Sequence, residues 1–323
     1  MIAIGLLRVT KRTKINFYCS VISSEDYHED GDYYCFGPVY SHIEPRTVEW
    51  IYGGGFAPEA LRPLQNLPED GVEVSMFTDK DLLSPMVDQV ETKYKIALLN
   101  ECLSIHPFAY EWIKQVEHKF DFIFTYEESL LKRGSKYVSY KPLTAGSALR
   151  DKDHKIYDKS KLASIIVSKK GKDVIISDLA RGHRLRHLIV DNLIKPKGYD
   201  VDLWGRAYKS FETKLDPLKD YYFSLAILNA KHDNYFNDNL TDCFRTGTIP
   251  IFWGCNNVGD YFNTDGILSF RTGPELMEIL ESLSPDLYHD RLDAVRDNFE
   301  RAKEYTRVDD NFFAVIKKTL NLH

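Results

Sequence analysis

The chain has 323 residues and a formal net charge of −6; 43% of the residues are hydrophobic and 28% charged. At roughly 100–200 residues per domain there is room for two domains, with the balance of a soluble globular protein. The acidic excess excludes a general nucleic-acid surface, which needs a basic stripe over phosphates. The five cysteines (Cys19, Cys35, Cys102, Cys243, Cys255) are scattered and form no C-x-x-C pair. This argues against a disulfide framework or a structural zinc site and leads us to expect a reducing compartment, the cytoplasm. No apolar run is long enough to span a bilayer, and the first eight residues, Met1 to Arg8, lack the basic region and cleavage site of a signal peptide.

In chain order, apolar runs of strand length alternate with longer mixed segments, the rhythm of α/β layers. Strands are expected at Ile15–Val21, Val48–Ile51, Val72–Phe77, Lys95–Leu99 and Phe120–Phe124, with helical spacing at Ser84–Tyr94 and Pro107–His118. The stretch from Ser23 to Pro45 reads as a long surface loop, and Gly53-Gly54-Gly55 lacks the full dinucleotide fingerprint. Between Pro142 and Lys161 charged and small residues replace the apolar periodicity, so we place the linker there. The expected domains are 1–150 and 151–323.

The second half restarts with a buried strand at Leu162–Ser168 and a helix at Leu185–Leu193. Strands follow at Val201–Trp204, Tyr222–Leu228 and Ile249–Trp253. A helix at Asn237–Arg245 is stopped by Gly247. Pro274–Leu283, Asp286–Tyr305 and Asn311–Leu320 close the chain as helices. Two α/β units in series leave a cleft between them, where ligands sit outside the carboxyl ends of strands.

The densest chemical signal runs from Tyr221 through Asn229, Tyr235, Asn237, Asp238 and Asn239 to Pro250 and Gly254. It is a buried strand, a polar loop, a helix start and a second buried strand. Asn237 suits an N-cap, and the free N–H groups of the first turn suit a diphosphate, with Asp238 toward a ribose diol. Taken alone, Asn237 and Asp238 are better read as simple helix caps.

This segment resembles the donor-binding motif of the α1,3-fucosyltransferase family, approximately Phe-x-Phe-Glu-Asn-Ser, then Tyr-x-Thr-Glu-Lys, then Pro-x-x-x-Gly. Asn229, Tyr235 and Asp238 fall on the family's Asn, Tyr and ribose-binding Glu; Pro250 and Gly254 fall on its closing Pro and Gly. Arg186, in Gly182-His-Arg-Leu-Arg186, takes the place of the diphosphate-binding Arg, and Val201-Asp-Leu-Trp-Gly205 resembles a further family stretch. Lys95 to Ser104 is similar to the strand that ends on the family's proposed catalytic base, which puts Glu101 on that base.

The resemblance implies a GT-B-like architecture: two Rossmann-like domains facing a central cleft, with C-terminal helices crossing back. It implies inverting, metal-independent transfer of a fucose-like sugar from GDP-fucose to a glycan hydroxyl. The nucleotide-sugar is the substrate, and no cofactor is implied. A base such as Glu101 removes the acceptor proton, and the Arg186 guanidinium offsets charge on the leaving diphosphate. Leu228, Asp238 and Asn239 stand where the family has Glu, Glu and Lys. The missing Lys leaves Lys169, Lys170 and Arg184 as neighbouring cations. These departures keep two alternatives open, a UDP-sugar-dependent transferase such as a pentosyltransferase and a non-catalytic nucleotide-sugar-binding relative. Asp200-Val-Asp202 is read as structural, and the His183/His187 spacing lacks a third zinc ligand.

Overall fold

The computed structural model describes residues 13–18, 48–53, 72–140, 147, 149, 151–168, 181–206, 208–305 and 308–321. The expected 23–45 loop, Lys169 and Lys170 lie outside the described residues. Two parallel sheets form. The first has the order β2-β1-β3-β4-β5-β6: β1 (Thr13–Tyr18), β2 (Val48–Gly53), β3 (Val72–Thr78), β4 (Tyr94–Leu98), β5 (Phe122–Thr125) and β6 (Tyr137–Ser139). The second has the order β11-β10-β9-β7-β8: β7 (Lys161–Ile166), β8 (Val201–Trp204), β9 (Tyr221–Ile227), β10 (Ile249–Trp253) and β11 (Leu268–Ser269).

Parallel strands are covered on both faces, so their sequences are nearly continuous apolar runs. All five residues of β10 are buried, as is every residue of β3 from Val74 to Thr78. The period of two still sorts their side chains. In β4, Ile96 and Leu98 join a core shared by both sheets, while Ala97 joins the core beneath the first sheet's helices. In β9, Ala226 joins the shared core, and Phe223, Leu225 and Ile227 join the core beneath the second sheet's helices.

The helices are α1 (Met86–Gln89), α2 (Pro107–Val116), α3 (Glu128–Leu131), α4 (Gly182–Ile189), α5 (Lys195–Lys197), α6 (Asp238–Arg245), α7 (Gly273–Ser282), α8 (Pro285–His289), α9 (Leu292–Arg301) and α10 (Val308–Leu320). Ile316 of α10 is fully buried in the shared core together with Val74, Met76 and Ile96 of the first sheet. The last helix thus contributes to the core that both sheets share.

Three expected elements differ. The helix expected over Ser84–Tyr94 is one turn, α1: Val90 is already extended and Tyr94 opens β4, so the apolar spacing of Met86, Val87 and Val90 packs a single turn. The helix expected over Asp286–Tyr305 breaks into α8, α9 and a 3-10 turn at Ala302–Tyr305. Tyr288, which donates to the Gly247 carbonyl at 2.8 Å, anchors the short α8. Finally, α4 runs into a π turn at Val190–Ile194 before α5. Pro196 cannot donate to the carbonyl of Asn192, and the wider turn absorbs that loss. No helix among the described residues is long and apolar enough to cross a membrane.

Candidate active site

The carboxyl ends of β4 and β9 face each other and set the site. Glu101 follows β4 by three residues, in a loop held from every side. Tyr140 donates to the Leu99 carbonyl at 2.7 Å, Tyr126 to Asn100 at 3.1 Å, and Tyr110 to Glu101 at 2.8 Å. Asp79, just past β3, accepts the backbone N–H groups of Asn100 (3.0 Å) and Glu101 (3.3 Å). To do so it adopts φ +40°, a left-handed conformation that costs a non-glycine residue energy. Burial pushes the Asp79 carboxyl well above the ordinary carboxylate range, and the neighbouring Glu101 charge adds to that.

Burial also raises the Glu101 carboxyl, and a hydrogen bond from Tyr235 opposes the rise. That hydroxyl donates to Glu101 Oε2 at 3.3 Å. The Tyr235 ring is 1% exposed within the shared core, so it has no free face for a nucleotide base. It links the two halves instead. His232 makes a second link: its Nε2 lies 3.1 Å from Glu127 Oε2, and its Nδ1 lies 3.3 Å from Ser104 Oγ.

On the side of the second sheet, α4 starts flush against the end of β9. A Cβ on Gly182 would stand 1.6 Å from the Leu228 carbonyl oxygen, so only glycine permits the Gly182 N–H to reach the Asn229 carbonyl at 2.9 Å. One turn later Arg186 turns inward. Its Nε donates to the Ile227 carbonyl at 2.9 Å, and its Nη2 donates both there and to Asn229 Oδ1, the latter at 3.1 Å. Arg186 is 7% exposed and, among the described residues, makes no ion pair. Burial brings it down to about 10, so it remains charged at neutral pH. His183, whose Nδ1 lies 3.4 Å from Arg186 Nη1, is lowered to about 4 by burial and the adjacent guanidinium, which leaves it neutral. The Asp238 charge offsets this burial only in part and at a distance, so an anionic ligand in direct contact with the guanidinium would lower the remaining cost.

Asp238 opens α6, where Asn237 caps the helix by accepting from the Asn239 N–H at 3.1 Å. The Asp238 carboxylate is paired with Lys214, which is 6% exposed in side-chain area and also lies 3.0 Å from Asp242. Ser147 donates to Asp242 at 2.6 Å. Arg186, Lys214 and Asn239 line one narrow cavity beside β9. Lys214 is thus a buried cation at the helix start where the motif lacks its Lys. It lies 24 residues before Asp238 in irregular chain, and no sequence signal marks it.

The structure therefore gathers Arg186, Asn229, Asp238 and Asn239 on one side and Glu101 with Tyr235 on the other, while Lys169 falls outside the described residues. Sequence reasoning missed Asp79 and Lys214. Leu228 is fully buried, and a Cβ on Gly254 would press to 2.6 Å from its side chain, so Leu228 serves packing. Asp202, the exposed residue of a strand whose two ends are buried, accepts from Tyr221 at 2.5 Å. Among the described residues no three His, Cys, Asp or Glu side chains are grouped to hold a metal.

Residues 157–291 match the family model described as glycosyltransferase family 10 (fucosyltransferase) C-term. Among solved structures, an α1,3-fucosyltransferase with GDP aligns over 99% of this chain and 94% of its own, with TM-score 0.56 and 14% identity. An α1,3-fucosyltransferase with GDP-fucose aligns over the same shares, with TM-score 0.54 and 15% identity. HepE of Anabaena, in complex with UDP, aligns over 97% of this chain and all of its own, with TM-score 0.54 and 10% identity. No curated protein sequence matches. At these identities the likeness is one of fold: the architecture is GT-B-like, two Rossmann-like α/β units. Within it, the second half carries the family 10 match, and the chain resembles the α1,3-fucosyltransferases.

Proposed function

We propose that the protein is an inverting glycosyltransferase, independent of metal ions, that moves a fucose-like sugar from GDP-fucose to a glycan hydroxyl. The observation that carries this reading is Arg186, a buried guanidinium with no ion pair among the described residues, held beside Asn229 across from a half-buried Glu101. The Glu101 carboxylate takes the proton of the acceptor hydroxyl as its oxygen attacks the anomeric carbon from the face opposite the phosphate. The bond from anomeric carbon to phosphate oxygen breaks, and the nucleoside diphosphate leaves with the electron pair. Arg186 meets the charge that develops there, with Asn229 orienting the guanidinium and Asn239 and Lys214 beside it. Asp238 stands at the helix start for a ribose diol, one methylene shorter than a Glu. The departures at Leu228, Asp238 and Asn239 favour a second reading on the same scaffold, a UDP-sugar donor.

Calorimetry with GDP and UDP tests the donor: tighter binding of GDP is expected, tighter UDP would turn the assignment to UDP-sugars, and binding of neither would sink both. Arg186→Ala should weaken nucleotide binding about 10- to 150-fold, the worth of a charge-assisted contact of about 1.5–3 kcal/mol. An unchanged Kd in a folded Arg186→Ala protein would remove Arg186 from the site.

Tyr235 is assigned a role on Glu101 rather than on the base. Its hydrogen bond favours the ionised carboxylate, so Tyr235→Phe should move the acidic limb of kcat/KM to higher pH, further above the ordinary Glu value. A limb that stays in place or moves down would contradict that assignment.

A further inference from the structure

A cleft of about 580 Å³ opens between the end of β5 and the loops that follow β9 and β10. That volume is inside the range of roughly 300–1,000 Å³ typical of ligand sites. One wall is built rigidly. Asn234 holds φ +59°, fixed by a reciprocal pair with Asn257: its N–H donates to Asn257 Oδ1 at 2.9 Å, and Asn257 Nδ2 donates to Asn234 Oδ1 at 2.7 Å. Asn256 Nδ2 donates to Asp233 Oδ1 at 3.0 Å. The facing wall carries Glu127 and Glu128, and His232 bridges the walls through its contact with Glu127. Tyr126, which also lines the cleft, donates to the Asn100 carbonyl, so this wall stands one residue from Glu101.

The lining chemistry is selective. Its charged groups are three carboxylates (Glu127, Glu128, Asp233) against one ammonium (Lys231), His232 aside. That field repels phosphate, sulfate and carboxylate. Carboxylates and amides together offer both acceptors and donors, as needed by hydroxyls that give and take hydrogen bonds. These acids are not among any group of three disposed to hold a cation in the described residues.

We propose that this cleft is the acceptor subsite and that it selects an uncharged oligosaccharide. The proposal rests on the transferase reading, and nucleotide binding provides the separate check on that reading. The test places the protein, with GDP present, on an array of immobilised oligosaccharides, some uncharged and some carrying carboxylate or sulfate. Binding to uncharged members alone is expected. Asn256→Trp, which fills the cleft, should abolish it while the GDP Kd measured by calorimetry stays within twofold of wild type. Glu128→Gln combined with Asp233→Asn should admit anionic members with at least a tenfold gain in signal. Wild-type preference for anionic members, no binding at all, binding that survives Asn256→Trp, or no gain in the double variant would each overturn the subsite assignment. Binding of neither GDP nor UDP by the wild-type protein would overturn the transferase reading and the subsite with it.

Discussion

Glu101→Gln is expected to lower kcat by about 10²–10⁴-fold while the Kd for nucleotide stays close to wild type, because a general base acts only in the transition state. The backbone clamp explains why the effect should be clean. Asp79 holds the Glu101 N–H and Tyr110 holds its carbonyl, so replacing the carboxylate by an amide leaves the loop in place. Only the group that accepts the proton is lost. The wild-type profile should show an acidic limb above the ordinary Glu value, since burial raises this carboxyl, and that limb should vanish in Glu101→Gln. An unimpaired Glu101→Gln enzyme would remove Glu101 from the chemistry.

Lys214→Met is expected to destabilise the protein by about 3–5 kcal/mol, the usual cost of stripping one partner from a buried ion cluster. Lys214 is the cation shared by Asp238 and Asp242, and Asp242 is fully buried. Without the ammonium, the Asp238 and Asp242 carboxylates face each other uncompensated by the cation they share, with Ser147 still donating to Asp242. The pH dependence follows from Asp242, which burial raises from 3.8 to about 6 even with Lys214 present. Between those values the folded form binds more protons than the unfolded, so this group subtracts stability as pH rises through the window. Lys214 holds the folded value down, so Lys214→Met widens the window upward. Its deficit should therefore be larger at pH 8 than at pH 5. Thermal or urea unfolding at both values checks this, and adding Asp242→Asn should recover part of the loss. A deficit below 1 kcal/mol, or one that grows on acidification, would contradict the ion-cluster account.

The parts of this arrangement that follow chain order were legible in the sequence. The strands β9 and β10 announce themselves as apolar runs, broken only by Ser224, between polar turns, and Gly182 and Arg186 lie one helical turn apart. Glu101 ends an apolar strand. Short elements were not legible: β6 and β11 have three and two residues, too few for any periodicity. Distant partners were not legible either. Asp79 reaches Glu101 across adjacent strands, 22 residues away, and Lys214 reaches α6 from irregular chain. No local pattern encodes such pairs, because tertiary packing creates them. Tyr235 shows the converse. The motif marked its position, but only the packing of the two halves reveals that its hydroxyl lies on Glu101.

The central claim is inverting sugar transfer from a nucleotide donor with Glu101 as base and without a metal ion. Proton NMR of donor hydrolysis tests it most directly, with GDP-fucose and then UDP-sugars in excess EDTA, wild type beside Glu101→Gln. The account predicts that the first-formed free sugar has the anomeric configuration opposite to the donor's and that Glu101→Gln forms it at least 10²-fold more slowly. A first-formed sugar that retains the donor's configuration, or a wild-type protein that consumes no donor until Mn²⁺ or Mg²⁺ is restored, would contradict it.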